Sequence, residues 1–500
     1  MKRFFLLKQI VIVASFFISS VNFAQFIDKD LAPTDYLIPY PVSLEINSVD
    51  KCSLSSDIDV KFTNISSPKL IAYSERIKKR LTVISLNGKA DVENEGKTVV
   101  EIYCSEIQEV NTNNNESYSI EVLKDKIVIE AVTDIGAMRG LETLAQLTQI
   151  YAGKSFIPSL KIKDNPRFKW RGLMLDVCRH YIPKSVILRN LDAMAAMKMN
   201  VFHWHLSEDQ GLRVECKTFP KLHEMGSDGK YFTHEDVKEI IKYANDRGIR
   251  VVPEFDIPGH STAWFVGYPE YASLPGKYEI ERHYGVFDPT FDPTKEETYV
   301  FFDKFFKEMS GLFNDEYIHI GGDENSGKQW DSSKAIQKFK KDNNLKSNHE
   351  LQEYFNKRIQ KILEKYGKKM IGWDEILSTE LPKSIVIHSW QGKQGMVTAA
   401  KNGYYSILSN GYYIDLCQSI VDHYYNEPLP DDINLSDAEK KYILGGEATM
   451  WTELVDSNNI DSRIWPRTAA IAEVLWSGRK SYGQDSIKNI ENLYYRFNAY

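Results

Sequence analysis

Basic charge is nowhere in excess in this 500-residue sequence: 62 Lys and Arg stand against 69 Asp and Glu, a formal net charge of −7. A chain that tracks a polyphosphate backbone needs the opposite balance, so nucleic acid is not an expected partner. Cysteine is scarce. The five residues, at 52, 104, 178, 216 and 417, form an odd and widely spaced set without Cys-x-x-Cys or Cys/His zinc spacing. A chain this long can bury a core without a disulfide scaffold, and a Cys52–Cys104 bridge is left open. With 18 Pro and 28 Gly the composition is neither collagen-like nor disordered, and there is no internal repeat. Long apolar runs are missing beyond the first residues. Lys2 and Arg3 precede a run from Phe4 to Ile18, broken by Lys8, Gln9 and Ser15, which is short for a membrane span of about 20 residues. It leads through small and polar residues to Ala24-Gln25, so residues 1–24 read as a cleaved signal peptide. No cysteine lies there to carry a lipid. The mature chain is therefore expected to be exported, periplasmic or secreted, with no transmembrane segment.

Aromatic side chains are abundant instead: 28 Tyr, 24 Phe and 9 Trp. Rigid amphipathic rings suit carbohydrate faces and large cores alike. At about 150 residues per domain the length allows about three domains, or two if one is a large α/β barrel. Residues 25–165 read as a small N-terminal α/β domain with an antiparallel sheet. Its strand runs lie at 56–63, 97–104, 117–123 and 126–132, and helical spacing at 68–83 and 135–150. It holds no concentration of His or carboxylates, so its expected role is structural. In residues 166–500 short β-rich runs alternate with helical patterns. Strand candidates fall at 171–177, 200–205, 249–254, 316–321, 369–373, 385–389, 405–409 and 443–447. Between them lie helical patterns at 184–197, 234–247, 294–312, 350–366 and 466–476. Eight such units predict a (β/α)8 TIM barrel. The alternative, a doubly wound open sheet, lacks its early Gly-rich dinucleotide turn.

A parallel barrel turns the C-terminal ends of its strands toward one mouth, and reactive residue types collect at those ends. The first strand leads to Asp176, Arg179 and His180, and the second to His203, His205, Glu208 and Asp209. The third brings Glu254, Asp256 and His260, the fourth Gly321-Gly322-Asp323-Glu324, and the fifth Trp373-Asp374-Glu375. The last three give His388 and Trp390, then Tyr413 and Asp415, then Trp451 and Glu453. His203, His205, His260 and Asp323 are metal-ligand types, but the Arg, Trp and Tyr around them are poor ligands. The carboxylates can pair with Arg179 and the imidazoles instead, so no metal and no other cofactor is expected, and His203 and His205 read as structural. Asp323-Glu324 is the more specific signal. Glycosidic cleavage needs an acid at the leaving oxygen and support for an oxocarbenium-like carbon. Adjacent residues on an extended segment point in different directions, which suits a facing acid and nucleophile badly. The pair suits a substrate that brings its own nucleophile. A 2-acetamido oxygen attacking C1 would leave Glu324 to protonate the leaving oxygen and Asp323 to accept from the acetamido N–H.

Residues 168–476 resemble the catalytic domain of the β-N-acetylhexosaminidases of glycoside hydrolase family 20. The stretches that carry the resemblance are RGLMLDVCRHY (171–181), NVFHWHLSEDQGLR (200–213), VVPEFDIPGH (251–260), YIHIGGDE (317–324), IGWDEI (371–376), HSWQG (388–392), YYIDLCQS (412–419) and GGEATMWTE (445–453). Residues 26–165 resemble the small domain that precedes this barrel in the family. The resemblance implies an exo-acting retaining hydrolase that removes terminal non-reducing β-linked N-acetylhexosamine by substrate-assisted catalysis. A related glycosidase releasing a disaccharide, or a non-catalytic carbohydrate-binding protein, is the alternative. It further implies that Asp323 orients the acetamido group, that Glu324 is general acid and then base, and that His260 supports Glu324 through a carboxylate relay. Arg179 would hold the sugar 3- and 4-hydroxyls, a bidentate task suited to guanidinium. Tyr413 would bond the acetamido oxygen, Trp373, Trp390 and Trp451 would wall the sugar, and Asp415 and Glu453 would read distal hydroxyls. The implied partner is an oligosaccharide or glycoconjugate, acted on by a monomer or homodimer. Two positions depart from the family pattern. Glu208 stands where the first acid of an Asp-Asp pair is common, and Leu212 where Trp is common, with an expected effect on the far side of the cleft.

Overall fold

The structure is a computed structural model that describes residues 33–87, 97–151, 154–378, 380–477, 491–494 and 496. The signal-peptide reading of residues 1–24 lies outside the described residues. The first sheet is built from β1 (Ser43–Ser53), β2 (Ile58–Asn64), β3 (Thr98–Glu106), β4 (Tyr118–Val122), β5 (Lys126–Thr133), β6 (Gln149–Tyr151) and β7 (Lys154–Asp164). Along β3, Thr98, Val100, Ile102 and Cys104 are buried in alternation with less buried neighbours, the period-2 pattern of a strand with one face on a core. The strand order is β1-β7-β4-β5-β3-β2, with β6 beside β7. The sheet is mixed rather than antiparallel throughout. β1, β7, β4 and β5 pair antiparallel, whereas β5, β3 and β2 run parallel. The helix Pro68–Asn87 is the crossover between parallel β2 and β3, and the chain between parallel β3 and β5 passes through β4, since parallel neighbours need a crossover and antiparallel ones only a turn. β1 and β3 are separated by three strands, and Cys52 and Cys104 are free thiols.

The helix Asp134–Leu147 is buried along its whole length, because the small sheet covers one side and the barrel the other. Its Arg139 donates to the carbonyls of Arg247 and Gly248. Glu116 sits between Arg139 (2.8 Å) and Arg171 (2.6 Å) in the same seam. Burial works against its charge, but the two guanidiniums hold Glu116 below its ordinary value.

Eight parallel strands then close a barrel: β8 (Trp170–Asp176), β9 (Val201–His205), β12 (Arg250–Glu254), β13 (Tyr317–His319), β14 (Lys369–Trp373), β15 (Val386–Ser389), β16 (Tyr405–Leu408) and β17 (Ile443–Met450). The short hairpin of β10 (Ser207–Glu208) and β11 (Gly211–Leu212) rises from the end of β9. Each barrel strand matches one sequence candidate. The helices Lys184–Ala196, His234–Asn245, Glu296–Leu312, Asn348–Lys365 and Arg467–Trp476 also lie where helical spacing places them, and Lys393–Lys401 is an addition. Leu351, Phe355, Ile359 and Leu363 give Asn348–Lys365 its buried stripe, and Gly367, with φ +71°, follows its end.

Each strand contributes one side chain to an apolar plug low in the barrel: Trp170, Val201, Val252, Tyr317, Ile371, Val386, Ile407 and Leu444. Toward the C-terminal ends the lumen turns polar, with His203, Glu254, His319, His388 and Glu447 all buried. The barrel floor is therefore an apolar base beneath a layer of buried acids and imidazoles. Among the described residues no helix is long and apolar enough to cross a membrane.

Candidate active site

A cavity of about 260 Å³ opens at the C-terminal mouth, lined by Arg179, Glu208, His260, Asp323, Glu324, Trp390, Tyr413, Asp415, Leu416, Trp451 and Glu453. Every residue given a catalytic or sugar-binding role in the sequence is there except Trp373. That indole is 1% exposed and lies behind the cavity, stacked on His388 at 4.2 Å and 5.9 Å from the Trp451 ring. Leu416 is the lining residue that sequence reasoning missed, since an isolated leucine carries no chemical signal. Leu212 is fully buried in the main core and does not itself line the cavity.

Asp323 and Glu324 follow β13 through two glycines in the left-handed region, Gly321 (φ +64°) and Gly322 (φ +93°). A Cβ on Gly321 would fall 1.9 Å from Asp256 Oδ1, so this turn needs glycine for space as well as for φ. The Gly322 N–H donates to the same Asp256 oxygen at 3.1 Å, and the Gly322 carbonyl accepts from Gln352 at 2.6 Å. Glu324 is itself at φ +48° and His260 at φ +47°, a backbone conformation that non-glycine residues hold only where the surroundings enforce it. The turn drives the two acids apart. The Asp323 side chain is 12% exposed in the cavity wall, while that of Glu324 is 39% exposed. Asp323 Oδ1 and Asp415 Oδ1 are buried without a hydrogen-bond partner among the described residues, which leaves both able to accept from a ligand.

Burial, reinforced by the charges of Glu254, Glu208 and Glu324, pushes Asp323 up to about 6 despite His260. Asp415 is pushed up to about 7 by burial and by Glu453 and Asp176, and Tyr413 is raised by burial and Asp323. His260 lies between carboxylates: Nδ1 is 2.7 Å from Glu208 Oε1, and Nε2 is 3.5 Å from Glu324 Oε2 and 4.0 Å from Asp323 Oδ2. Burial opposes its charge, but Glu208, Asp209 and Glu324 hold His260 well above its ordinary value, as an imidazolium.

Glu208 resolves the question its extra methylene raised. Oε1 meets His260, while Oε2 reaches Arg179 Nη2 at 3.1 Å and His205 Nε2 at 3.2 Å. Arg179 lies over the Trp451 face at 5.0 Å, with Asp176 Oδ2 3.4 Å from its Nη1. Asp176 is the clamp that sets this end of the site. It accepts from the backbone N–H groups of Cys178, Arg179 and Thr452, tying the loops after β8 and β17 together. Glu208→Asp is too short to keep both arms of Glu208. Losing one charged hydrogen bond, about 1.5–3 kcal/mol, is expected to lower kcat/KM about ten- to hundredfold in steady-state kinetics. An undiminished kcat/KM would show that the bridge contributes nothing.

Two further walls are braced, one from the turn after β14 and one from β17. Trp390 donates its indole N–H to Glu375 Oε2 at 3.1 Å and its backbone N–H to Asp374 Oδ2 at 2.7 Å. Tyr413 and Asp415 sit on a segment hydrogen-bonded to Thr449 of β17 from both sides. The metal-ligand types pair with one another. His203 lies 2.6 Å from Glu447 and 3.0 Å from Glu254, and His205 2.6 Å from Glu254. Against the effect of burial these carboxylates raise His203 to about 9 and His205 to about 10. Clusters with spacing for an ion, such as Glu208–Asp209–His260, are built from these same mutually paired carboxylates and imidazoles.

The profile of the glycosyl hydrolase family 20 catalytic domain matches residues 168–479, and that of the family's domain 2 matches residues 34–165. A β-hexosaminidase of Porphyromonas gingivalis is 36% identical over 421 residues, 77% of this chain and 54% of the relative. The chain thus spans about half of that protein's length. The X-ray structure of a Flavobacterium johnsoniae chitobiase is similar with a TM-score of 0.87 at 43% identity, covering 94% of this chain and 73% of that one. A family 20 exo-β-N-acetylglucosaminidase of Vibrio harveyi, solved in complex with N-acetylglucosamine, has a TM-score of 0.79 at 25% identity over 93% of this chain and 77% of its own.

Proposed function

Because the chain belongs to glycosyl hydrolase family 20, we propose that it is an exo-acting β-N-acetylhexosaminidase, releasing terminal non-reducing GlcNAc or GalNAc with retention of configuration. The observation that carries the reading is the divergent acid pair, with Asp323 set into the cavity wall and Glu324 more exposed beside His260. The acetamido oxygen of the bound sugar attacks C1 and forms a cyclic oxazolinium intermediate. Asp323 accepts from the acetamido N–H and opposes the developing positive charge, and Tyr413 donates to the acetamido oxygen. Glu324 protonates the leaving oxygen, then takes a proton from the water that opens the ring. Arg179 and Asp415, each of which interacts electrostatically with Glu453, take the distal hydroxyls together with it. Trp390, Trp451 and the more deeply placed Trp373 enclose the sugar and its methyl group. Residues 25–165 serve as a structural support for the barrel, and an exported location fits the first 24 residues of the sequence. Incubation with a chromogenic β-GlcNAc glycoside and the matching β-glucoside tests the reading. Release from the first alone is expected; equal release, or none, would defeat it.

The pH profile follows from Asp323. It acts as an anion, and its value of about 6 places loss of that anion within the working range. As pH falls through about 6 the carboxylate is protonated and kcat/KM drops. At high pH the rate falls again as the proton needed by the leaving group is lost. Coupling within the cluster means that both limbs belong to the group of acids rather than to one residue. A rate unchanged from about pH 4 to 9, with chemistry limiting, would contradict a site built on paired acids.

A further inference from the structure

Glu254, the last residue of β12, is fully buried and is not among the residues that line the cavity. Its two oxygens face different parts of the site. Oε1 accepts from the Trp373 indole N–H at 3.0 Å, and Oε2 lies 2.6 Å from His205 Nδ1. The other nitrogen of His205 meets Glu208, which meets His260, which reaches Glu324. Carboxylate and imidazole therefore alternate in hydrogen bonds from Glu254 to His260, whose Nε2 lies 3.5 Å from Glu324 at the cavity. The remaining groups on Glu254 are His203 Nε2 of β9 and His319 Nδ1 of β13, each at 3.0 Å. Glu447 of β17 stands behind His203, Asp176 of β8 acts on His205, and Asp256 and Asp323 feel the Glu254 charge.

We infer that Glu254 is a positioning residue shared by both halves of the site, one oxygen fixing the Trp373 indole behind the acetamido pocket and the other fixing the His205–Glu208–His260 chain behind Glu324. The inference rests on the proposed hydrolase reading. A single buried charge then sets the place of the aromatic wall and keeps the His205 imidazole protonated. With that charge gone, His205 loses its proton at lower pH, and with it the donor that holds Glu208, so the upper limb of the rate profile moves down.

The test uses full-length Glu254→Gln and His205→Gln, with pH profiles on good and poor leaving groups and calorimetric binding of a GlcNAc-derived thiazoline. Glu254→Gln is expected to lower kcat/KM about 10²-fold on the poor leaving group, shift the upper pH limb downward, and weaken the thiazoline about tenfold. His205→Gln should move the pH limb while leaving thiazoline affinity near that of the parent, since Trp373 keeps its partner. A folded Glu254→Gln protein with the parent's pH profile overturns the inference, as does equal loss of thiazoline binding in the two variants. If Glu254→Gln does not fold, an unmoved limb in His205→Gln overturns it alone. A parent protein that leaves β-GlcNAc glycosides intact defeats the hydrolase reading, which separates the two failures.

Discussion

Glu324→Gln is expected to reduce turnover about 10²–10⁴-fold on a substrate with a poor leaving group, the range over which a positioned general acid acts. Glutamine keeps the length and shape of the side chain. The strained turn at φ +48° is paid for by Gly321, Gly322 and their contacts with Asp256 and Gln352, none of which the substitution touches. What it removes is the transferable proton. An aryl glycoside whose leaving group has a low pKa departs without that proton, so its hydrolysis should suffer far less. The comparison of two leaving groups therefore isolates proton donation from binding. Small anions such as azide supply a second readout, because they can open the cyclic intermediate without base assistance. An equal loss on both leaving groups would remove Glu324 from the role of acid.

The barrel was legible in the sequence because strands buried on both faces read as short continuous apolar runs, each ending in reactive residues. The small sheet was less so. β1 and β7 carry Glu45, Asp50, Lys51, Lys161 and Lys163 among their apolar residues, which hides them as strands. The direction of β3 against β5 depends on a neighbour distant in the chain, which no local pattern reports. The site residues were found from type and strand-end position, but those cues fix neither depth nor partner. Trp373 and Trp390 look equivalent in the sequence, yet one lies behind the cavity and one lines it. Glu208 could be suspected of reaching His260, whereas its second arm to Arg179 needs the folded loops after β8 and β9. Glu254 was seen only as a strand-end acid. Its importance lies in the indole and three imidazoles that β9, β13 and β14 bring around it.

Removing the substrate's own nucleophile is expected to have the largest effect of all. A substrate with a 2-hydroxyl in place of the 2-acetamido group should be hydrolysed almost not at all, even with an activated leaving group, since no side chain is assigned to attack C1. Asp323→Asn attacks the same step from the protein side. The buried carboxylate, 4.0 Å from His260 and with Oδ1 lacking a hydrogen-bond partner among the described residues, is placed to oppose charge on the forming ring. An amide keeps the shape but supplies no negative charge, and in a water-poor site a loss of about 10²–10³-fold in kcat is expected. A GlcNAc-derived thiazoline copies the cyclic intermediate and should bind far more tightly than free GlcNAc, an advantage that Asp323→Asn should largely erase. Stereochemistry decides between this route and direct attack by water. Attack by the acetamido oxygen and then by water inverts C1 twice, so the sugar first released is the β-anomer. Proton NMR of the earliest product reads this before mutarotation. An initial α-anomer would mean a single inversion by water, and the acetamido group would have no part in the chemistry.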